Sequence, residues 1–371
     1  MTGRIRQLAA LGQAIWYDNI SRELIDSGKL QELVDAGIAG VTSNPTIFQK
    51  AVAGSSAYDD LIREAARAGR TADEIYEQLV IRDIRDAAEI LRPVYNETHG
   101  RDGYVSIEVN PKLANDADGT IAEARRLFAT IDRPNIMIKV PATDAGLPAV
   151  TTLIGEGINV NVTLIFAISM YERVMQAYLE GLRRHQGNDQ PLGLVSSVAS
   201  FFVSRVDSLT DKVLQHRIEH GEKHLEPLLG LAAVANAKLA YARYKVIFGG
   251  EPFAEFRAKG ARPQRPLWAS TSAKNPAYPD TKYVDPLIGV NTVNTVPPAT
   301  LEALRDHGVV AQTIDNELSH ARAVMDELAG LKVDMEWVTA ALLDEGVKLF
   351  ADSFDKLMAD IEAKRAKLQV S

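Results

Sequence analysis

Eight short β-type runs, separated by amphipathic helical stretches from one end to the other, predict an α/β chain closed into a (β/α)8 barrel, the TIM barrel. Two further observations support this reading. The segments between runs are long enough for helical crossovers, which parallel strands require. Several runs also alternate apolar and polar residues, although the strands of a helix-wrapped barrel have no water-facing side. The alternation alone also permits an open doubly wound sheet. The 371 residues, 46% apolar and 24% charged, suit one large domain with ample core material.

The expected strands are 14–18 (AIWYD), 38–44 (IAGVTSN), 104–110 (YVSIEVN), 135–141 (NIMIKVP), 159–166 (NVNVTLIF), 194–203 (LVSSVASFFV), 266–272 (PLWASTS) and 289–296 (GVNTVNTV). Ser/Thr-x-x-Glu boxes at Thr71 to Glu74, Thr120 to Glu123 and Ser169 to Glu172 mark three helix starts. Extra helices, about 57–69 and 73–95, lie between the second and third strands. After the eighth strand, helices near 299–306, 312–328 and 335–368 form a C-terminal extension, about 299–371, that packs over the barrel.

Charge and composition narrow the function. With 41 Lys plus Arg against 49 Asp plus Glu, the net charge is −8, and there are no basic runs. This argues against electrostatic nucleic-acid binding. Without cysteine there is no disulfide framework, thiolate nucleophile or cysteine metal site. No apolar run approaches the ~20 residues of a membrane span. Arg4 and Arg6 precede an apolar stretch, but Gln13 interrupts it and no small-residue cleavage site follows, so the expected location is the cytoplasm. Walker, G-x-G-x-x-G, G-x-S-x-G and H-E-x-x-H motifs are absent. His216, His220 and His224 stand at four-residue spacing, but Gly221 interrupts them and a solvated helix face accounts for the row.

The pleat carries the functional signal. Val105, Ile107 and Val109 alternate with Ser106 and Glu108; Ile136, Ile138 and Val140 with Met137 and Lys139; Val160, Val162 and Leu164 with Asn161 and Thr163. The apolar set meets the helices, so the polar set points into the barrel. Polar groups there are costly unless they bond each other or a ligand. Near the C-terminal strand ends, where barrel active sites are built, Asp18, Asn44, Glu108, Lys139 and Thr163 are expected to converge on one mouth. A desolvated lysine amine attacks carbonyls to form a Schiff base, and Asp18 and Glu108 are placed to shuttle protons. A simple buried ion pair of Lys139 with a carboxylate is the alternative, and Asn44 and Asn161 read equally as satisfied turn or core amides. At the sixth and seventh strand ends, Arg205 and Lys274 suit a phosphate, unless Arg205 pairs with Asp207 on a helix surface.

Six segments carry a resemblance: 40–46 (GVTSNPT), 106–110 (SIEVN), 136–142 (IMIKVPA), 157–166 (GINVNVTLIF), 200–205 (SFFVSR) and 269–275 (ASTSAKN). In this order and over nearly the whole length, the chain resembles the transaldolase family, most closely its longer, actinobacterial-type subgroup. The resemblance implies a cytoplasmic, metal-free enzyme of the non-oxidative pentose phosphate pathway that needs no cofactor. It moves a dihydroxyacetone unit from sedoheptulose 7-phosphate to glyceraldehyde 3-phosphate, giving erythrose 4-phosphate and fructose 6-phosphate. By motif match, Lys139 forms the Schiff base, Asp18 is the acid/base for C–C cleavage, and Glu108 with Thr163 holds the catalytic water. Asn44, Asn161 and Ser200 are implied to bind the dihydroxyacetone moiety, and Arg205, Ser272 and Lys274 the phosphate, with Ser270 an alternative to Ser272. Lys274 stands where many members carry arginine, which keeps the charge but loses the planar fork. Phe202 stands where shorter aldolase relatives carry tyrosine, which favours transfer; a fructose 6-phosphate-type aldolase on the same barrel is the alternative. The expected partners are phosphorylated sugars, without nucleic acid or membrane, for a monomer or homodimer.

Overall fold

The computed structural model describes residues 3–188 and 190–369. Eight strands, β1 (Gln13–Tyr17), β2 (Gly40–Thr42), β3 (Tyr104–Glu108), β4 (Ile136–Pro141), β5 (Val160–Ile165), β6 (Ser197–Phe202), β7 (Arg265–Ala269) and β8 (Thr292–Val296), form a closed barrel in chain order. Every pairing is parallel, and β8 closes on β1 over the full length of both. All eight expected runs overlap a strand, and the open-sheet alternative is excluded by closure. Most runs are shorter than expected because residues at the mouth, Ser43 and Asn44 among them, leave the ladder to serve side-chain contacts. Residues Leu192–Leu194 form a 3-10 turn, which delays β6 to Ser197, and Ser270, at φ +55°, ends β7.

Side chains of non-adjacent strands meet inside the barrel, which verifies the polar-inward pleat. Asn161 of β5 donates from Nδ2 to Ser106 Oγ of β3 (3.1 Å) and accepts from Ser200 Oγ of β6 (2.7 Å). At the N-terminal end, Arg265 binds Asp102 Oδ1 (2.9 Å), which also accepts from Trp16 Nε1 (3.0 Å), so a satisfied ion pair floors the barrel. Trp16 fills the space beside Gly40, where a Cβ would come within 2.5 Å of its ring.

The pleat fails at one place. Leu164 does not continue the helix-facing set of Val160 and Val162, because it takes a left-handed conformation (φ +60°) where the β5–β6 register shifts. Its side chain instead packs under Gly346 of the C-terminal helix, Met335–Gln369.

After β2 come the helices Pro45–Gly54, Asp59–Arg67 and Ala72–Glu97, the first of them an addition to the sequence reading, started by the Asn44 cap and Pro45. Thr71 and Glu74 form the expected capping box. The other two boxes do not start helices. Asp116, four residues before Thr120, caps Ala117–Ile131 by accepting from Gly119 N–H (3.0 Å), and Thr120 donates instead to the Leu113 carbonyl (3.0 Å). Ser169 lies inside Ile168–Gly187, which follows Ala167. The 312–328 helix begins only at Leu318, since Thr313 and Ile314 are tied by backbone bonds to Ile288 ahead of β8.

The C-terminal helix, about 50 Å long at 1.5 Å per residue, lies against all three helices that follow β2 and against Ser204–Glu219 and the end of β5. Residues 370 and 371, at the end of the expected extension, lie outside the described residues. Among the described residues, no helix is long and apolar enough to cross a membrane.

Candidate active site

The C-terminal ends of the strands surround a cavity of about 580 Å³. Asp18, Asn44, Lys139, Thr163, Ser200, Phe202, Arg205, Ser270, Ser272 and Lys274 all line it. Two of the expected residues do not. Asn161 is fully buried below the cavity floor, where both its amide groups are engaged by Ser106 and Ser200. Glu108 lies behind Lys139 and forms part of a separate cleft. The expected single mouth is therefore two spaces that meet at the Lys139–Glu108 pair.

Lys139 is the centre of this arrangement. It stands on β4 between Glu108 of β3 and Asn161 of β5, in direct register with both. Its Nζ donates to the Ser43 carbonyl (2.9 Å), lies 3.6 Å from Glu108 Oε2 and 5.8 Å from the Phe350 ring centroid. The side chains of Lys139 and Glu108 are 6% and 4% exposed, so water screens the pair little. Burial pushes the Glu108 carboxyl up to about 7, against the opposing pull of Lys139. Its Oε2 and the buried Thr163 Oγ1 have no hydrogen-bond partner among the described residues. Such unpartnered buried groups, one of them beside the amine and the other in the wall of the same cavity as Lys139, are costly for stability and useful for holding a reacting hydroxyl or water.

Asp18 follows β1 and is anchored by its backbone N–H on the Val296 carbonyl (2.9 Å). Burial raises its carboxyl; a hydrogen bond from Thr42 Oγ1 (2.6 Å) and the charges of Lys139 and Lys274 act the other way. Thr42 also meets Thr295 Oγ1 (2.6 Å), so β2 and β8 together orient the carboxylate of β1. Asn44 has two parts to play: its Oδ1 caps the helix Pro45–Gly54 through Ile47 N–H (3.0 Å), and it remains in the cavity wall.

Part of the cavity wall is cationic. Arg205 sits in the first turn of Ser204–Glu219, with its guanidinium carbon 5.5 Å from the Phe202 ring centroid. It is not paired with Asp207, whose carboxylate instead accepts from Ala233 N–H (2.7 Å) and the Tyr283 hydroxyl (2.9 Å). Burial, and Arg205 next, lower the Lys274 amine; Lys50 adds to the effect, and Asp18 opposes it. Lys274 Nζ donates to Ser272 Oγ (2.7 Å), whereas Ser270 Oγ is engaged with Ser204 Oγ (2.9 Å).

Sequence reasoning missed Lys50, Thr42, Thr295 and the wall formed by Leu349 and Phe350. Thr42 and Thr295 carried a signal, being polar positions in buried strands. Lys50 looks like any lysine on an amphipathic helix, and nothing local distinguishes Phe350 from a helix core residue.

A lysine on β4, carboxylates just after β1 and on β3, a threonine on β5 and cations after β6 and β7 suit a carbonyl substrate that also carries an anionic group. The sequence profile described as Transaldolase/Fructose-6-phosphate aldolase matches residues 15–361. The chain belongs to the transaldolase/fructose-6-phosphate aldolase family. Among similar family members, the "Transaldolase" of Parafrankia sp. is 49% identical, covering 97% of this chain and 98% of its own. The "Transaldolase" of Trichodesmium erythraeum is 46% identical over 99% of each chain, and that of Mycolicibacterium paratuberculosis 47% over 98% of each. This coverage brings the helices after β2 and the C-terminal helix within the shared family length.

Proposed function

We propose that the chain is a transaldolase that transfers a dihydroxyacetone unit from sedoheptulose 7-phosphate to glyceraldehyde 3-phosphate through a Schiff base on Lys139. The observation that carries this reading is a buried lysine flanked by two carboxylates raised by burial, in the wall of a cavity that Arg205 and Lys274 also line. The whole-length similarity to proteins named transaldolase supports the same conclusion. The reading places the enzyme in the non-oxidative branch of the cytoplasmic pentose phosphate pathway, as a monomer or homodimer.

In this mechanism Lys139 Nζ attacks the ketose carbonyl carbon. Glu108, protonated near neutral pH, gives its proton to the departing hydroxyl, with Thr163 holding that oxygen; water leaves and the iminium forms. Asp18 then takes the C4 hydroxyl proton. The C3–C4 bond breaks, its electrons pass to the iminium as an enamine, and the aldehyde product departs. The enamine adds to the acceptor aldehyde, and Asp18 returns its proton to the new alkoxide. Burial makes Asp18 a better base than an exposed carboxylate. Asn44 and Ser200 bind the hydroxyls of the three-carbon unit, and Asn161 positions Ser200 from below. Arg205, Ser272 and Lys274 hold the phosphate, so the distance between amine and cations selects chain length. Phe202 offers the enamine an apolar ring and no proton, which favours waiting for an acceptor over release.

Borohydride reduction with fructose 6-phosphate, followed by peptide mass spectrometry, tests the reading. A reduced dihydroxyacetone-sized adduct on the peptide containing Lys139 is expected; folded protein without an adduct would overturn it. Turnover of fructose 6-phosphate that depends on added erythrose 4-phosphate identifies the transferase, and acceptor-independent release of dihydroxyacetone the aldolase.

A further inference from the structure

The position of Glu108 behind Lys139 assigns a use to the second cleft. This cleft, about 160 Å³, lies between the helices Ala72–Glu97 and Ala117–Ile131 and the C-terminal helix, and Glu108 forms part of its wall. The sugar cavity includes Lys139 but not Glu108, and the two side chains are 3.6 Å apart. The amine and its carboxylate therefore separate two spaces of very different size and lining.

We propose that the cleft is a water port, through which the water expelled during iminium formation leaves, and the water needed for hydrolysis enters, while the sugar occupies the main cavity. The inference rests on the Lys139 Schiff-base reading. Each iminium formed breaks the carbon–oxygen bond of the carbinolamine: the hydroxyl takes a proton from Glu108, one water is released, and the C=N bond takes its place. Hydrolysis consumes one water and restores that proton. A bound sugar phosphate fills the mouth on the front side of Lys139, where Phe350 also stands. Glu108, on the back side, is the group that handles the water.

The cleft has the filter such a port needs. Its volume accommodates several waters but not a sugar phosphate. Its rim carries Asp73, Glu77 and Glu123 against Arg126, which is paired with both glutamates, so the local charge repels an anionic sugar. Deeper in, Val80 and Ile107 give apolar walls. Tyr76 also lines the cleft, edge-on to Phe354 at 5.3 Å. Burial, followed by the charges of Glu123 and Glu108, holds its hydroxyl well above the usual tyrosine range, so it stays a neutral donor. None of these groups touches the sugar cavity.

The test uses fructose 6-phosphate carrying ¹⁸O at C2. If the expelled water escapes while the sugar stays bound, hydrolysis returns ordinary oxygen and the label is lost once per iminium. Label loss is compared with the amount of iminium trapped by borohydride under the same conditions. Wild type is expected to lose label nearly stoichiometrically. Val80→Phe, which fills the cleft, is expected to lower label loss per iminium at least fivefold, and Tyr76→Ala, which widens it, to leave the ratio at the wild-type level. Glu123→Trp plugs the rim and is expected to act as Val80→Phe does, which covers the case in which that variant does not fold. An unchanged ratio in the filled variants, or retention of label by wild type, would overturn the port. A missing Lys139 adduct in wild type would instead overturn the Schiff-base reading itself.

Discussion

At Glu108 a single residue joins catalysis to stability. Its carboxyl, at about 7, is well above the ordinary 4.5, and burial is the cause. Because the folded state binds this proton more tightly than the unfolded chain, the stabilisation is complete below about 4.5 and is lost as pH rises through about 7. Glu108→Gln removes that dependence. Urea denaturation should therefore show the variant gaining on wild type between pH 5 and pH 8. The same proton is the acid for loss of the carbinolamine hydroxyl, so stopped-flow iminium formation should slow above pH 7 in wild type and lose that limb in the variant. Lys139→Met should keep its circular dichroism spectrum and lose at least a thousandfold in turnover; activity within tenfold of wild type would remove Lys139 from the mechanism. Lys274 lies at the solvent side of the cavity and binds an unreacting group. Lys274→Ala should raise KM for phosphorylated sugars by about tenfold, the scale of one charge-assisted hydrogen bond, with kcat nearly constant. A change confined to kcat would contradict a phosphate role. The placement of Lys139 and Thr163 was legible because a polar residue inside a helix-wrapped strand has few destinations. Lys50 and Phe350 were illegible because a helix lysine and a helix phenylalanine look alike in every context.

Among the elements, the end of β5 and the C-terminal helix depend on each other. Leu164 leaves the pleat with positive φ, and the space above it is available only because residue 346 is glycine; a Cβ there would sit 2.8 Å from Leu164 Cδ2. Gly346→Val should destabilise the protein by about 1–3 kcal/mol through overpacking. It should also lower kcat, because Leu349 and Phe350, one turn further along, form the cavity wall. Loss of stability with unchanged kcat would show that the helix does not position the site. The capping boxes show how far local sequence reaches. Thr71 to Glu74 starts its helix because nothing nearby competes, whereas Asp116 caps ahead of Thr120 and the chain leaving β5 fixes the start before Ser169.

Across the whole molecule, chemistry and stability occupy opposite ends of the barrel. Arg265 and Asp102 are a buried pair at the N-terminal floor, and Trp16 shares the carboxylate. Asp102→Ala leaves a buried guanidinium without its carboxylate and should cost about 3–5 kcal/mol in chemical denaturation. Activity per folded molecule should hold, since these groups are far along the strands from the cavity. The sequence by itself determined the eight-fold alternation and the inward polar residues, because strand period and helix period are local properties of the chain; closure of the sheet into a barrel was settled by the tertiary structure. The tertiary structure decided what those residues face. Register put Glu108 beside Lys139 but on the other side of it from the sugar cavity; the floor engaged Asn161 from both sides; and the C-terminal helix brought Phe350, more than 200 residues after Lys139 in the chain, to the amine. Contacts between residues so distant in the chain follow from how helices pack across strand ends, and no local pattern records that.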